Sequence, residues 1–315
     1  FCIYVVMIFV MSFGSYTVIT SQGLDLDVGQ MSSLLTYSFQ ILMSLMMVSM
    51  IFVMVTMSLE SAERIVEVLS EESTLQNPQN PVMEVKDGSI DFDQVSFKYS
   101  KKATRNALSH IDLHIKSGEI IGILGGTGSS KTSLIQLIPR LYDATEGTVK
   151  VGGVDVRRYD LAVLRDAVGI VLQKNVLFSG TVRENLQWGD KNADDESIWE
   201  ACRAACADEF LQRMPGGLDA DLGQGGVNVS GGQKQRLCIA RALLKKPKIL
   251  IFDDSTSAVD TATEAKIRTA LAALSGVTKI IIAQRVTSVM HADLIVILED
   301  GRIHAVGTHS QLLAS

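Results

Sequence analysis

The 315-residue sequence contains few cysteines, few prolines and no lysine or arginine before Arg64. Its four cysteines, Cys2, Cys202, Cys206 and Cys238, have neither zinc-ligand spacing nor the framework of a small disulfide-rich secreted protein. We therefore expect a reducing cytoplasmic setting, with Cys202 and Cys206 on one helix face in a buried structural role. The formal net charge of −6 argues against a nucleic-acid-binding protein, which usually carries a basic face, so we expect no nucleic-acid partner.

Two long apolar runs, Phe1–Thr20 and Leu34–Leu59, dominate the first part of the chain. Each is near the roughly 20 residues that a membrane-spanning helix needs. The first lacks the basic start of a signal peptide, and a second run follows it directly. The connection carries only acidic charge, at Asp25 and Asp27, so the positive-inside rule places Arg64 and the residues after it in the cytoplasm. We expect a multi-pass protein of the cell membrane, with the lipid bilayer as a partner.

Two features of the sequence indicate that its membrane domain is incomplete. The sequence does not begin with methionine, and two spans alone make an unusual membrane domain. We therefore expect that further membrane helices precede this sequence in the whole protein.

The second apolar run carries a polar stripe, because Thr36, Gln40 and Ser44 recur every four residues. Such groups face a bundle interior or a water-filled cavity, where they contact either a neighbouring helix or a transported substrate. Nine of the twelve methionines lie before Ser58. Methionine suits a surface that accepts varied apolar ligands, and it is equally acceptable as filler in lipid. Neither pattern identifies the substrate.

A polar linker rich in helix breakers divides the chain. Apolar residues continue at helical spacing to Leu69, which predicts one long helix that ends before Glu71. The linker contains Asn77-Pro78 and Asn80-Pro81. We assign residues 1–82 to the C-terminal part of a transmembrane domain and residues 83–315 to an α/β domain. Strand candidates alternate with helical segments, which predicts parallel strands with crossover connections. The candidates are Ile120–Leu124, Val168–Leu172, Ile249–Asp253, Ile280–Ala283 and Leu294–Leu298.

A glycine-rich segment follows the first of these strands and opens a helical pattern, which is the context of a P-loop. It reads Gly125-Gly126-Thr127-Gly128-Ser129-Ser130-Lys131-Thr132, with Ser133 next in the helix. Glycines allow backbone N–H groups to surround phosphates, and the helix N-terminus adds positive potential. We expect all nine residues in a nucleotide site, with Lys131 on the β- and γ-phosphates and Thr132 on Mg²⁺. Ser130 stands where the motif usually has its last glycine.

Four further segments accompany the P-loop in a characteristic order. They are Phe97-Lys98-Tyr99, Val171-Leu172-Gln173, Val229-Ser230-Gly231-Gly232-Gln233 and Ser257-Ala258-Val259-Asp260. Together with the acidic pair Asp253-Asp254, they resemble the A-loop, Q-loop, signature, D-loop and Walker B strand of ABC exporters. The resemblance covers essentially the whole chain. It implies an α-helical membrane segment followed by an α/β P-loop nucleotide-binding domain with a β-subdomain and a helical signature subdomain.

The resemblance also implies roles for these residues. Tyr99 is expected to stack on adenine, and Thr132, Gln173 and Asp253 are expected to ligate Mg²⁺. In the family two such domains pair head to tail, and each ATP lies between one subunit's Walker motifs and the other subunit's signature. The cofactors implied are therefore ATP and Mg²⁺, and the partner implied is a second half-transporter.

Three departures from the family pattern cluster on the Walker side. Asp254 replaces the glutamate that polarises the attacking water, and a displacement of about 1 Å costs on the order of a hundredfold in rate. Gln284 replaces the usual histidine; it donates a hydrogen bond but carries no imidazolium charge. Ser130 is the third departure, while the signature is close to the family consensus. We predict that this site is the degenerate half of a bacterial heterodimeric exporter.

Other interpretations remain open at this stage. The departures are also explained by neutral change in a working site, by a non-hydrolysing regulatory subunit, or by a homodimeric lipid or peptide exporter. A further departure is Gly223-Gln224-Gly225-Gly226, where exporters usually have Gly-Glu-Arg-Gly. In the family that loop contacts the coupling helices of the partner's membrane domain.

Overall fold

The computed structural model describes residues 2–22, 24–100, 102–254 and 261–314. The chain divides into two compact units, Phe1–Thr74 and Leu75–Ser315. The first unit consists of helix α1 (Cys2–Thr20) and the 43-residue helix α2 (Val28–Ser70). Both helices are long and apolar enough to cross a membrane. Helix α2 ends at the residue before Glu71, as predicted.

A capping box fixes the start of α2. The Asp27 side chain accepts a hydrogen bond from the Gln30 backbone N–H, and the Gln30 side chain accepts one from the Asp27 backbone. This reciprocal pair satisfies two of the N–H groups that a helix start leaves without partners. The polar connection therefore ends and the long apolar helix begins at a defined residue.

The second unit combines strands with short helices. Its strands are β1 (Ile90–Phe97), β2 (Leu108–Ile115), β3 (Ile120–Leu124), β4 (Glu146–Val151), β5 (Val154–Asp155), β6 (Val168–Val171), β7 (Ile249–Asp253), β8 (Thr278–Ala283), β9 (Leu294–Glu299) and β10 (Arg302–Gly307). Its α-helices are α3 (Lys131–Gln136), α4 (Leu161–Asp166), α5 (Val182–Gln187), α6 (Asp195–Ala204), α7 (Asp208–Leu211), α8 (Gly231–Leu244), α9 (Thr261–Ala272) and α10 (His309–Ala314).

The strands form two sheets. One is antiparallel, in the order β2-β1-β4-β5. The other has the order β10-β9-β3-β8-β7-β6 and is parallel except for β10. The five strands predicted from the sequence are β3, β6, β7, β8 and β9, all in the parallel part. The α5–α8 segment lies between β6 and β7 in the chain and forms a helical subdomain.

Strand β7 shows why the parallel strands are continuous apolar runs. All five of its residues are buried. Ile249 and Ile251 pack in a core shared with the antiparallel sheet and α3. Leu250 and Phe252 pack in a second core with the helices α5, α6 and α8. Because successive side chains point to opposite faces and both faces are covered, no position along the strand is available to a solvated side chain.

The linker residues pack on the second unit. The Asn77 side chain donates to Asp160 at 2.5 Å and accepts from the Leu161 backbone at 2.9 Å. The Val82 backbone donates to the Arg158 carbonyl at 2.8 Å. Residues 75–82 therefore belong structurally to the unit that follows them, although their composition is that of a linker.

The structure corrects the expectation for two cysteines. Helix α6 ends at Ala204, and Cys206 lies beyond it with a φ of +54°. A left-handed residue ends helical geometry, so Cys206 does not share a helix face with Cys202. Cys202 is buried, whereas Cys206 is partly exposed.

Candidate nucleotide-binding site

The site lies at the carboxyl ends of four adjacent strands. In the sheet order β3-β8-β7-β6, each strand is followed by a segment predicted to be functional. The P-loop follows β3, Gln284 follows β8, the Asp253-Asp254 pair ends β7 and Gln173 lies just after β6. In open parallel sheets ligands bind at this edge. The fold thus brings together residues that are far apart in the sequence.

The lysine of the P-loop, Lys131, hydrogen-bonds to other residues of the same loop. The Lys131 ammonium donates to the carbonyls of Gly125 and Gly126, each at 2.8 Å, and to Ser129 Oγ at 3.2 Å. Burial lowers the pKa of Lys131, while the charges of Asp253 and Asp254 oppose that shift. The ammonium is therefore held by loop carbonyls, which phosphate oxygens can replace as its hydrogen-bond acceptors.

Two glycines of the loop are required by its geometry. A β-carbon on Gly125 would lie 2.3 Å from the Leu298 carbonyl oxygen, a separation that backbone cannot accommodate. Gly128 has a φ of +82°, in the left-handed region that favours glycine. Gly126, Thr127 and Gly128 form the exposed tip, and Ser129 is buried beneath it.

Ser130 occupies a strained position. Its φ is +70° and its ψ is 26°, so a residue with a β-carbon holds the left-handed conformation. It is the N-cap of α3, yet its side chain makes no capping hydrogen bond. A left-handed residue other than glycine costs about 1–2 kcal/mol. The departure noted in the sequence therefore falls where the backbone geometry calls for glycine.

Thr132 and Asp253 form an oxygen pair suited to a divalent cation. Thr132 Oγ1 donates to Asp253 Oδ2 at 3.0 Å. Burial raises the pKa of Asp253, the Thr132 hydrogen bond lowers it and the Asp254 charge raises it further. A buried carboxylate beside a hydroxyl fits Mg²⁺, which prefers hard oxygen ligands. Gln173, the third residue expected at Mg²⁺, has its amide nitrogen 3.4 Å from Asp254 Oδ2.

Two glutamine side chains, from the ends of β8 and β6, meet at the carboxylate of Asp254, which follows β7. Gln284 Nε2 donates to Asp254 Oδ2 at 2.8 Å, and Gln173 Nε2 approaches the same oxygen at 3.4 Å. The Asp254 backbone N–H donates to the Ile282 carbonyl at 3.0 Å, which ties this residue to β8. A water that needs this oxygen as its proton acceptor has to compete with two amide donors.

Tyr99 stands beside the P-loop helix as an exposed ring. It lies just after β1 and is 56% exposed. Its hydroxyl lies 2.7 Å from Ser133 Oγ and 3.4 Å from Gln136 Oε1, both on α3. Its ring packs against Phe97 and Tyr142, with ring centroids 4.8 Å and 5.2 Å away. Ser133 therefore contacts Tyr99, and Tyr142 is a residue of this cluster that the sequence did not indicate.

The signature forms the start of α8. Ser230 is the N-cap: its Oγ accepts from the Gln233 backbone at 3.3 Å, and the Gln233 side chain accepts from the Ser230 backbone at 2.9 Å. Ser230 and Gly231 are exposed, whereas Val229 is buried and anchors the loop in the helical subdomain. Such a helix start presents backbone N–H groups and positive potential to an anion.

The signature and the P-loop are separate surfaces within one chain. Across residues 2–22, 24–100, 102–254 and 261–314, no hydrogen bond joins Ser230, Gly231, Gly232 or Gln233 to the P-loop. The predicted D-loop residues Ser257, Ala258, Val259 and Asp260 lie outside the described residues.

This arrangement defines a P-loop nucleoside-triphosphatase domain: a parallel sheet, a phosphate loop after β3, and a Thr132–Asp253 pair across the strand ends. The family can be named more closely. Residues 108–257 match the family model described as ABC transporter. The second unit is accordingly the ATP-binding domain of an ABC transporter, a family of ATP-hydrolysing transport proteins.

Relatives extend the match beyond this domain. The chain is 42% identical over 303 residues to an ABC transporter ATP-binding protein of Mycobacterium tuberculosis, which covers 93% of this chain and 52% of the relative. It is 41% identical over 301 residues to another from Bacillus subtilis, covering 96% of this chain and 52% of the relative. A solved bacterial Atm1-family ABC exporter with ATP bound has a TM-score of 0.79 and 32% identity, covering 99% of this chain and 55% of that one. The chain thus spans about half the length of these relatives.

Proposed function

We propose that the chain is the ATP-binding subunit of an ABC exporter and that its own Walker site binds ATP but hydrolyses it slowly. The observation that carries the proposal is the Asp254 carboxylate, which accepts from Gln284 at 2.8 Å and is approached by Gln173 at 3.4 Å. ATP binding needs the backbone amides of the P-loop, Lys131 and an adenine platform, and these groups are all present, because Ser130 keeps the backbone amide of the glycine it replaces. Hydrolysis needs a carboxylate that can reach the attacking water and accept its proton. At position 254 that carboxylate is on a shorter side chain and already accepts amide hydrogen bonds.

In the binding step, Lys131 exchanges its loop carbonyls for phosphate oxygens, and the backbone N–H groups at the start of α3 hold the remaining phosphate charge. Thr132 and Asp253 would hold Mg²⁺, which when bound neutralises charge on the β- and γ-phosphates. The exposed ring of Tyr99 offers an aromatic surface to adenine.

In the chemical step, the acceptor for the water proton is displaced. An aspartate is one methylene shorter than glutamate, and Asp254 is also held by two glutamine amides. Gln284 is neutral, so it supplies a dipole but no positive charge to the γ-phosphate. Each effect raises the barrier to hydrolysis while leaving the groups that hold ATP in place.

Away from the P-loop, the signature would complete the nucleotide site of a partner. Ser230 and Gly231 are exposed at the N-terminus of α8, with the loop anchored by buried Val229. An intact signature supports rapid ATP hydrolysis only if it faces Walker motifs that can carry out the reaction. Because the Walker motifs of this chain are altered, a second half-transporter would have to supply them. We therefore propose a heterodimer in which this chain's signature supports hydrolysis at the partner's site.

The membrane part carries the transport function. Helices α1 and α2 are candidate spans of a multi-pass protein in the cell membrane, and the solved relative is an exporter. The second unit also exposes apolar side chains in the segment that follows Gln173 in the sequence, including Val176 and the stacked pair Phe178 and Trp188, whose ring centroids are 4.9 Å apart. We propose that these side chains receive a cytoplasmic helix of a membrane domain, so that nucleotide binding drives export of a substrate.

The test of ATP binding is Lys131→Ala. We expect loss of retained radiolabelled ATP, because the ammonium is the main point charge on the phosphates. The control is Lys191→Ala, which removes an equally charged but exposed side chain in a loop before α6. Equal retention of ATP by Lys131→Ala and Lys191→Ala would contradict the P-loop assignment.

A further inference from the structure

Two aromatic rings pack against Tyr99, the proposed adenine platform, and the three rings form one cluster. Phe97 and Tyr142 both pack against Tyr99, with interplanar angles of 72° and 87°. Phe97 and Tyr142 also contact each other, with ring centroids 5.4 Å apart. Edge-to-face pairs of this kind add stability beyond the area they bury. Tyr142 comes from the segment after α3, so the cluster joins two distant parts of the sequence.

The hydroxyl end of Tyr99 is held separately. It lies 2.7 Å from Ser133 Oγ and 3.4 Å from Gln136 Oε1. The hydroxyl oxygen lies on the axis about which a tyrosine ring rotates, so rotation about χ2 leaves these hydrogen bonds in place. They fix the position of the ring but leave its plane free, and χ2 of tyrosine has broad wells. The plane of the ring is set by Phe97 and Tyr142.

We propose that Tyr142 is a positioning residue for Tyr99: it holds the ring at the angle that adenine stacking requires. The inference rests on the proposed function, in which Tyr99 stacks on adenine. Tyr142 then governs affinity for the base and has no effect on affinity for the phosphates. Phe97 has the same kind of contact, but it is buried in the core, whereas Tyr142 is 39% exposed. Tyr142 can therefore be changed without loss of folding.

The test compares two ligands on the detergent-purified chain, ATP and inorganic tripolyphosphate, which lacks the base. In Tyr142→Leu we expect ATP binding to weaken about two- to tenfold, the range typical of one aromatic pair. Tripolyphosphate should compete as it does in the unmodified chain. In Tyr142→Phe, which keeps the ring, both affinities should be unchanged. Fluorescence of Trp188 and Trp199, the two tryptophans of the chain, reports folding of each variant.

The other outcomes separate this proposal from the function on which it rests. If Tyr99→Ala weakens ATP binding while Tyr142→Leu does not, the positioning role is wrong and the adenine platform stands. If Tyr142→Leu weakens ATP and tripolyphosphate equally, the residue is merely structural and the proposal is also wrong. If Tyr99→Ala leaves ATP affinity unchanged, the adenine platform itself is refuted. If Lys131→Ala binds both ligands normally, the nucleotide site is not where we place it.

Discussion

Replacing Ser130 by glycine should stabilise the second unit. Ser130 has a φ of +70°, and its hydroxyl makes no capping hydrogen bond to α3. Removing the β-carbon relieves about 1–2 kcal/mol of left-handed strain. The additional freedom of glycine in the unfolded chain costs about 0.4–1 kcal/mol. The expected net gain in the free energy of unfolding is therefore about 1 kcal/mol.

The matched control is Ser130→Ala, which removes the hydroxyl but keeps the β-carbon. If the strain lies in the backbone, the alanine variant should be no more stable than the unmodified chain, and the glycine variant should exceed it by about 1 kcal/mol. For a unit of this size that difference corresponds to about 2–4 °C in the unfolding midpoint. Urea or thermal unfolding followed by tryptophan fluorescence is suitable, because Trp188 and Trp199 both lie in the second unit.

The reasoning is refuted if alanine and glycine at position 130 give the same stability. It is also refuted if both variants are destabilised, since that would mean that the Ser130 hydroxyl has a partner. Affinity for ATP gives an independent readout. A loop freed of strain should bind ATP at least as tightly as the unmodified loop, because the amide that faces the phosphates is retained.

Two further predictions concern the helical subdomain. Ser230→Arg should stop nearly all steady-state ATPase turnover of the assembled exporter while this chain still retains labelled ATP; preserved turnover would show that hydrolysis does not depend on the signature surface. For the cysteines, burial raises the pKa of Cys202 to about 12, and it also raises the pKa of Cys238 and of the partly exposed Cys206. Because the thiolate reacts and all three pKa values are raised, maleimide labelling should be slow at pH 7 and increase toward pH 9. Of these three cysteines, mass spectrometry should find Cys206 labelled first, and faster labelling of Cys202 would contradict its burial.

The parallel strands could be predicted because their burial is two-sided. Strand β7 is apolar at every position before its terminal aspartate, since its alternate residues enter two different cores. Strand β1 was not predicted, and its pattern explains why. Its pairing with β2 shifts register between Phe92 and Val95 and again before Phe97, so apolar residues do not keep a period of two. Local patterns identify regular strands better than bulged ones.

The site could be predicted only in part. The sequence indicated that Asp254, Gln284 and Gln173 matter, but no spacing rule could show that two glutamine amides converge on one carboxylate oxygen. That contact depends on the order β8-β7-β6 in the sheet. Tyr142 gave no signal for the same reason, because its role comes from a contact with Tyr99 across the fold.

The central claim is that this chain's Walker site holds ATP but hydrolyses it slowly because of Asp254 and Gln284. The most direct measurement is single-turnover hydrolysis of labelled ATP by the chain purified without any other half-transporter. When two copies of this chain pair head to tail, the Walker motifs of each copy face the signature of the other copy. The comparison is with the double variant Asp254→Glu, Gln284→His, made as a pair because catalytic residues acting as a unit are non-additive. Lys131→Ala provides the background.

The account predicts that the unmodified chain releases ATP intact and that the double variant converts it to ADP on the order of a hundredfold faster. Equal rates in the two proteins would place the cause of slow hydrolysis elsewhere, at Ser130 or in the signature. Turnover by the unmodified chain on the order of 10 per second, an ordinary enzymatic rate, would contradict the claim outright.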